Sequence, residues 1–129
     1  IYKRKELKAM TVKECYDRIG GSYDEAKQRL MDDKRMVKFL GMFLRDTSFQ
    51  EITEALEKND YAEAFKGAHS LKGVSRNMAF SALAESTETL TEELRSGSPS
   101  TDITPLYEKT KEAYELTVQS IKELIDSQG

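Results

Sequence analysis

Tryptophan is missing from these 129 residues, histidine and cysteine occur once each, and proline occurs twice. A lone cysteine, Cys15, can form no disulfide within the chain and suits a reducing, cytoplasmic compartment. One histidine and one cysteine make no soft ligand set for zinc. No Asp-rich loop with a glycine offers an EF-hand calcium site either, so no bound metal is expected. No apolar run approaches the roughly 18 residues a membrane helix requires, and no membrane span is expected. The Lys and Arg residues near the N-terminus have no apolar stretch behind them, which argues against a signal peptide. The first residue is Ile1, which suits a piece of a longer chain as well as a trimmed one. The net charge of −3 lacks the basic excess of a nucleic-acid binder, and no nucleic-acid partner is expected.

What is present is 33% charged and 38% apolar residues, the balance of a soluble globular domain with one core. Both prolines, Pro99 and Pro105, fall in the loop-like stretch from Ser96 to Pro105, and Ile19-Gly20-Gly21-Ser22 forms a second break. Everything else carries helical periodicity, without strand-like alternation. The pattern predicts short helices near 11–18 and 24–31 and a long helix over about 34–57, started by Asp32 and Asp33. Met36, Val37, Phe39, Leu40, Phe43, Leu44, Ile52, Ala55 and Leu56 supply that long helix's apolar face. The next helix opens at Asn59-Asp60, where Asp60 and Glu63 have capping-box spacing, and runs to about Asn77. Another follows Ser81, with Leu83, Leu90 and Leu94 inward, and ends before Gly97. The last starts near Thr104-Pro105, with Leu106, Ala113, Leu116, Ile121, Leu124 and Ile125 inward. The expected fold is all-α: an antiparallel four-helix bundle over about 33–127, with the two short helices across one end. Residues 1–10 are expected to be an N-terminal extension or linker, and 11–129 the domain.

On a helix over about 60–77, Tyr61, Ala64, Phe65, Ala68, Leu71, Ser75 and Met78 gather into an inward stripe. His69 falls at its margin, toward solvent. Ala62 lies two turns before His69 and Gly73 one turn after, while Lys66, Lys72 and Arg76 surround the same position. An imidazole is nucleophilic near pH 7, because its ordinary pKa is about 6.5. A phosphorylated ring would add negative charge that nearby Lys and Arg can meet with charge-assisted hydrogen bonds. A mid-helix glycine costs about 1 kcal/mol relative to Ala, which room beside the ring would offset. Each feature alone also fits a structural histidine, a solvated face or a close-packing glycine.

Residues 68–78, Ala-His-Ser-Leu-Lys-Gly-Val-Ser-Arg-Asn-Met, resemble the His-x-Leu-Lys-Gly signature of histidine phosphotransfer domains. Asn77-Met78 is similar to the Asn-Leu that often follows in that family. Tyr23-Asp24-Glu25-Ala26, Arg29-Leu30, Phe43-Leu44-Arg45-Asp46 and Asp60-Tyr61 extend the likeness over about residues 20–95. Two departures affect turns: Ala79 and Asp32 stand where the family often has glycine. The resemblance implies that His69 is phosphorylated, that Lys72 contacts the phosphoryl group and that Gly73 clears space. It implies a phosphocarrier without its own ATP-binding or catalytic domain, which takes the group from a receiver-domain aspartate and passes it to another receiver. Those receivers would belong to response regulators or hybrid sensor kinases. No cofactor is expected in this chain, the magnesium being the receiver's. Docking is expected around His69, on Ala62, Lys66, Ser70, Arg76 and exposed parts of the preceding long helix. A monomer is expected.

Three other readings compete. A helical interaction module without chemistry would lack the His or the Lys, and both are present. A His acid–base enzyme needs an orienting carboxylate or a nucleophile partner, and no such constellation is visible. A kinase dimerisation module usually has an acidic residue directly after its His, where this chain has Ser70.

Overall fold

The computed structural model describes residues 9–128. Seven helices appear there: α1 (Val12–Ile19), α2 (Tyr23–Leu30), α3 (Asp33–Phe43), α4 (Ser48–Glu57), α5 (Tyr61–Asn77), α6 (Ser81–Leu94) and α7 (Thr104–Gln128). The all-α architecture is the one the periodicity predicts. The starts follow local chemistry: Thr11, Ser22, Asp32 and Asp60 each accept a hydrogen bond from the backbone N–H three residues on. At α1 the reciprocal bond from the Glu14 side chain completes a capping box.

The single long helix expected over 34–57 is two helices. At the break, Asp46 Oδ1 accepts from the Ser48 N–H at 2.8 Å, and Thr47 Oγ1 donates to Glu51 at 2.7 Å. Asp, Thr and Ser compete in this way for backbone groups that a continuous helix would use. Packing favours the break as well. Ile52 lies nine residues after Phe43, so at about 100° per residue an unbroken helix would put them on opposite faces. With the break, Met36, Leu40 and Phe43 of α3 and Phe49, Ile52 and Ala55 of α4 all turn inward.

Helices α4, α5 and α6 pack side by side, α6 against α7, and α3 against α7. Gly67 sets the α4–α5 spacing. A Cβ there would lie 2.9 Å from Ile52 Cγ1 and 3.2 Å from both the Ile52 backbone nitrogen and the Ser48 carbonyl oxygen. Aromatic rings join the far side, with Phe49 stacked on Tyr114 at 4.4 Å and Phe43 edge-on to Phe80 at 5.0 Å.

The inward face of α7 needs a correction. Leu116, expected inside, is 42% exposed, and the buried positions are Thr110, Tyr114, Thr117, Ser120, Ile121 and Leu124. The hydroxyls of Thr110 and Thr117 donate to carbonyls one turn back, as do Thr87 and Thr91 on α6. Those bonds let small polar residues occupy core positions where a search for aliphatics selects Leu116 instead.

The two short helices cap the end of the bundle where α5 stops. Buried Tyr16 of α1 donates its hydroxyl to the Met78 carbonyl at 2.9 Å, and Arg29 of α2 donates to the Arg76 and Asn77 carbonyls. These bonds satisfy acceptors that a helix C-terminus leaves open. Ala79 closes α5 at φ +58°, a left-handed conformation that explains why glycine suits this place. In the loop before α3 the positive φ falls on Met31, and Asp32 is the N-cap. Cys15 is buried, and burial pushes its thiol up to about 11, which leaves it a packing residue. Of the expected N-terminal extension, residues 1–8 lie outside the described residues. Met10 is held to α7, its N–H donating to Ser127 Oγ at 3.0 Å.

Candidate functional site

Helix α5 presents its small and apolar side to its neighbours: Ala64, Gly67, Ala68, Leu71 and Ser75 are buried. His69, one position past Ala68, is exposed on the opposite margin, as are Ala62, Lys66, Ser70, Gly73 and Arg76. The inward stripe stands as the spacing predicts, except that Tyr61 and Phe65 are only partly covered.

That partial exposure gives Phe65 a role that periodicity hides. Its ring lies one turn before the imidazole, with centroids 5.9 Å apart and planes inclined by 21°. A stacked neighbour limits rotation of the His69 ring while leaving its edge open. Among the described residues, none hydrogen-bonds the imidazole nitrogens, and the residue as a whole is exposed. The guanidinium of Arg95, at the end of α6, sits 5.3 Å from the centroid of the same Phe65 ring.

The cations around His69 differ in how firmly they are held. Lys66 pairs with Glu63 on its own helix at 3.2 Å, and Arg76 pairs with Glu88 of α6. Lys72 is half-buried against α6 and forms no ion pair among the described residues. It nevertheless lies near Glu92, whose carboxyl is held below the usual carboxylate range. The hydrogen bond from Arg95 is the main cause, with the charges of Arg95 and Lys72 adding to it. Of the three cations that the sequence places near the ring, Lys72 is therefore the one least committed elsewhere.

The two mid-helix glycines do different work. A Cβ at Gly73 would meet nothing within 4 Å, whereas at Gly67 it would strike α4. The close-packing role belongs to Gly67 and open space to Gly73. Beyond Gly73 toward α3, Phe39, Met42, Phe43, Val74 and Met78 line a shallow, mostly apolar depression that Arg45 and Asp46 also border, with Met42 50% exposed.

Gly67, Glu92, Arg95, Met42 and Val74 were not singled out by the sequence, and Phe65 and Phe39 were placed only as members of apolar faces. Only Gly67 carried a local signal, as a second glycine inside a helix. The rest depend on which residues α6 and α3 bring alongside α5.

These positions lie inside a recognised pattern. A family model described as "Hpt domain" matches residues 38–125, which takes in the C-terminal part of α3 and nearly all of the bundle. No curated protein and no solved structure matches the chain.

Proposed function

The chain belongs to the Hpt domain family, whose work is histidine phosphotransfer in phosphorelays, and on that premise we propose that His69 is its phosphoryl acceptor. The observation that supports this reading most directly is the exposed imidazole with two unengaged nitrogens, placed on the helix within the matched region. Hpt domains are phosphocarriers that interact with receiver domains. In the proposed step, the ring nitrogen farther from the backbone attacks the phosphorus of a receiver's aspartyl phosphate. The new N–P bond forms as the acyl P–O bond breaks; the aspartate leaves as a carboxylate, and the proton on the other ring nitrogen passes to water. Return to a second receiver reverses these bond changes. The receiver supplies the magnesium, and this chain supplies the nucleophile, its orientation and positive charge.

Lys72 meets the developing phosphoryl charge. Lys72→Ala should slow transfer about tenfold or more, the order expected for one charge-assisted hydrogen bond. The melting temperature should barely move, and an unchanged single-turnover rate would remove Lys72 from the mechanism. Gly73 leaves the receiver room to approach. Gly73→Glu should retain helicity, because the position faces open space. It should weaken receiver binding about tenfold by crowding and by repelling the phosphoryl group, a loss near 1.4 kcal/mol. Equal affinities by calorimetry would refute the clearance argument.

Docking spreads from His69 over Ala62, Lys66, Ser70 and Arg76, and onto the apolar depression beside Val74. Charge steers the encounter, while apolar burial at about 25 cal/mol per Å² holds the complex. The domain over 11–129, its monomeric state and a cytoplasmic location belong to this proposal; among the described residues no helix is long and apolar enough to cross a membrane. The test is incubation with a panel of radiolabelled phospho-receivers, followed by acid treatment. Acid-labile label on the chain is expected. Binding without label would favour an interaction module that only docks.

A further inference from the structure

Where α4 ends and α5 begins, the connection from α6 meets the start of α7 and leaves a cavity of about 380 Å³ between them. That volume is at the lower end of the range for small-molecule sites, about 300–1,000 Å³. The cavity lies away from His69: Tyr61, which lines it, is eight residues back along α5, about 12 Å of helix. Its apolar walls are Leu56 of α4, Pro99 and Ile103 of the connection, and the rings of Tyr61 and Tyr107. The Tyr107 ring is fixed in two ways. It stacks on Phe49 at 5.7 Å with planes inclined by 14°, and its hydroxyl shares a hydrogen bond of 2.8 Å with Thr53. An aromatic wall held in this way is already ordered, so a ligand loses little affinity to ordering it.

The charged residues that line the cavity are both acidic, Glu57 and Asp102, and among the described residues no Lys, Arg or His lines it. Asp102 is committed to the start of α7. Its Oδ1 accepts from the Thr104 N–H at 3.0 Å, and that bond, with a second from the Thr104 side chain, holds its carboxyl below the usual carboxylate range. Asp60 caps the start of α5 in the same way, accepting from the Glu63 N–H. The positive ends of both helices are thus already met by carboxylates. Glu57 has no such partner, because its side chain makes no hydrogen bond or ion pair among the described residues. It sits in the last turn of α4, which carries no basic residue, so its carboxylate faces the negative end of the helix. A positive ligand would relieve that repulsion, and tyrosine faces attract cations. We propose that this cavity binds a small organic cation, an ammonium ion carried on an apolar, aromatic body. The ammonium group lies by Glu57 and the tyrosine rings, and the body fills the space lined by Leu56, Pro99 and Ile103.

The test is an amide NMR titration of the whole, isotope-labelled chain with phenethylammonium chloride and, separately, with phenethyl alcohol, which has the same body and no charge. The ammonium ion should shift the amides of Asn59, Tyr61, Thr104 and Tyr107 saturably at millimolar concentration, the range open to a ligand of so few atoms. The alcohol should bind about tenfold more weakly, for want of the cation's contacts with Glu57 and the rings. Glu57→Gln should weaken the ammonium ion about threefold and leave the alcohol unchanged. Glu112→Gln removes an equal charge from α7 outside the cavity and should change neither affinity. Equal affinities for ammonium ion and alcohol, or equal effects of the two variants, would overturn the assignment to a cation. No saturable shift at the four amides would overturn the site itself. Either failure would leave the reading of His69 as the phosphoryl acceptor where it stands.

Discussion

His69→Gln yields a folded domain that accepts no phosphoryl group from any phosphorylated receiver. The side chain is exposed and gives no hydrogen bond to the fold, so its removal leaves no buried group unpaired. What is lost is a stacked contact with Phe65, a pair worth about 0.5–1.5 kcal/mol when well formed. That is a small fraction of a domain's stability, about 5–15 kcal/mol. Glutamine keeps a similar reach and polarity but has no nucleophilic ring nitrogen. Uptake of label should fall to background while the circular dichroism spectrum and urea midpoint stay near wild type. Acid-labile label retained by the variant would mean that another residue carries the group, and the assignment of His69 would be wrong.

The second large effect is a pair of opposite signs from one substitution made at two places on α5. Replacing glycine by alanine inside a helix gains about 1 kcal/mol from propensity alone. At Gly73 nothing opposes that gain, because the added methyl enters open space. Gly73→Ala should therefore raise the melting temperature by about 3–5 °C, given about 1 kcal/mol on a domain of this size. At Gly67 the methyl would sit 2.9 Å from Ile52 Cγ1 and 3.2 Å from two backbone atoms of α4. Backbone cannot rotate aside as a side-chain tip can, so α4 must shift as a unit and disturb its stack of Phe49 on Tyr114. Overpacking of this kind costs typically 1–3 kcal/mol and outweighs the propensity gain. Gly67→Ala should lower the urea midpoint with little change in slope. Equal stabilities for the two variants would show that Gly67 does not set the distance between these helices.

Much of the architecture was legible because helix starts and periodicity are local. The capping bonds at Asp32 and Asp60 follow from residue type and position, and the stripe of Ala64, Ala68 and Leu71 follows from the helical repeat. The margin position of His69 follows from the same repeat, since it is next to Ala68. Local reading failed where several partners competed for one group. Leu40 and Phe43 on one side of the break, and Ile52 on the other, looked like one apolar face although their angular phases disagree. Thr110 and Thr117 were not picked out as core positions, because the bonds of their hydroxyls to preceding carbonyls exist only in the folded helix. Leu116 looked like core because hydrophobicity was the sole guide.

The sequence by itself determined that this chain folds as helices, that its lone imidazole stands at the edge of one of them, and that three cations share its strip. Spacing along a helix decides those matters, and spacing is written in the order of residues. Tertiary structure alone decided that Phe65 backs the ring, that Arg95 lies over that same Phe65, and that Gly67 rather than Gly73 serves the packing. Each of those depends on the register between helices. That register is set by how side chains on separate segments fit together in space, and no single segment contains it.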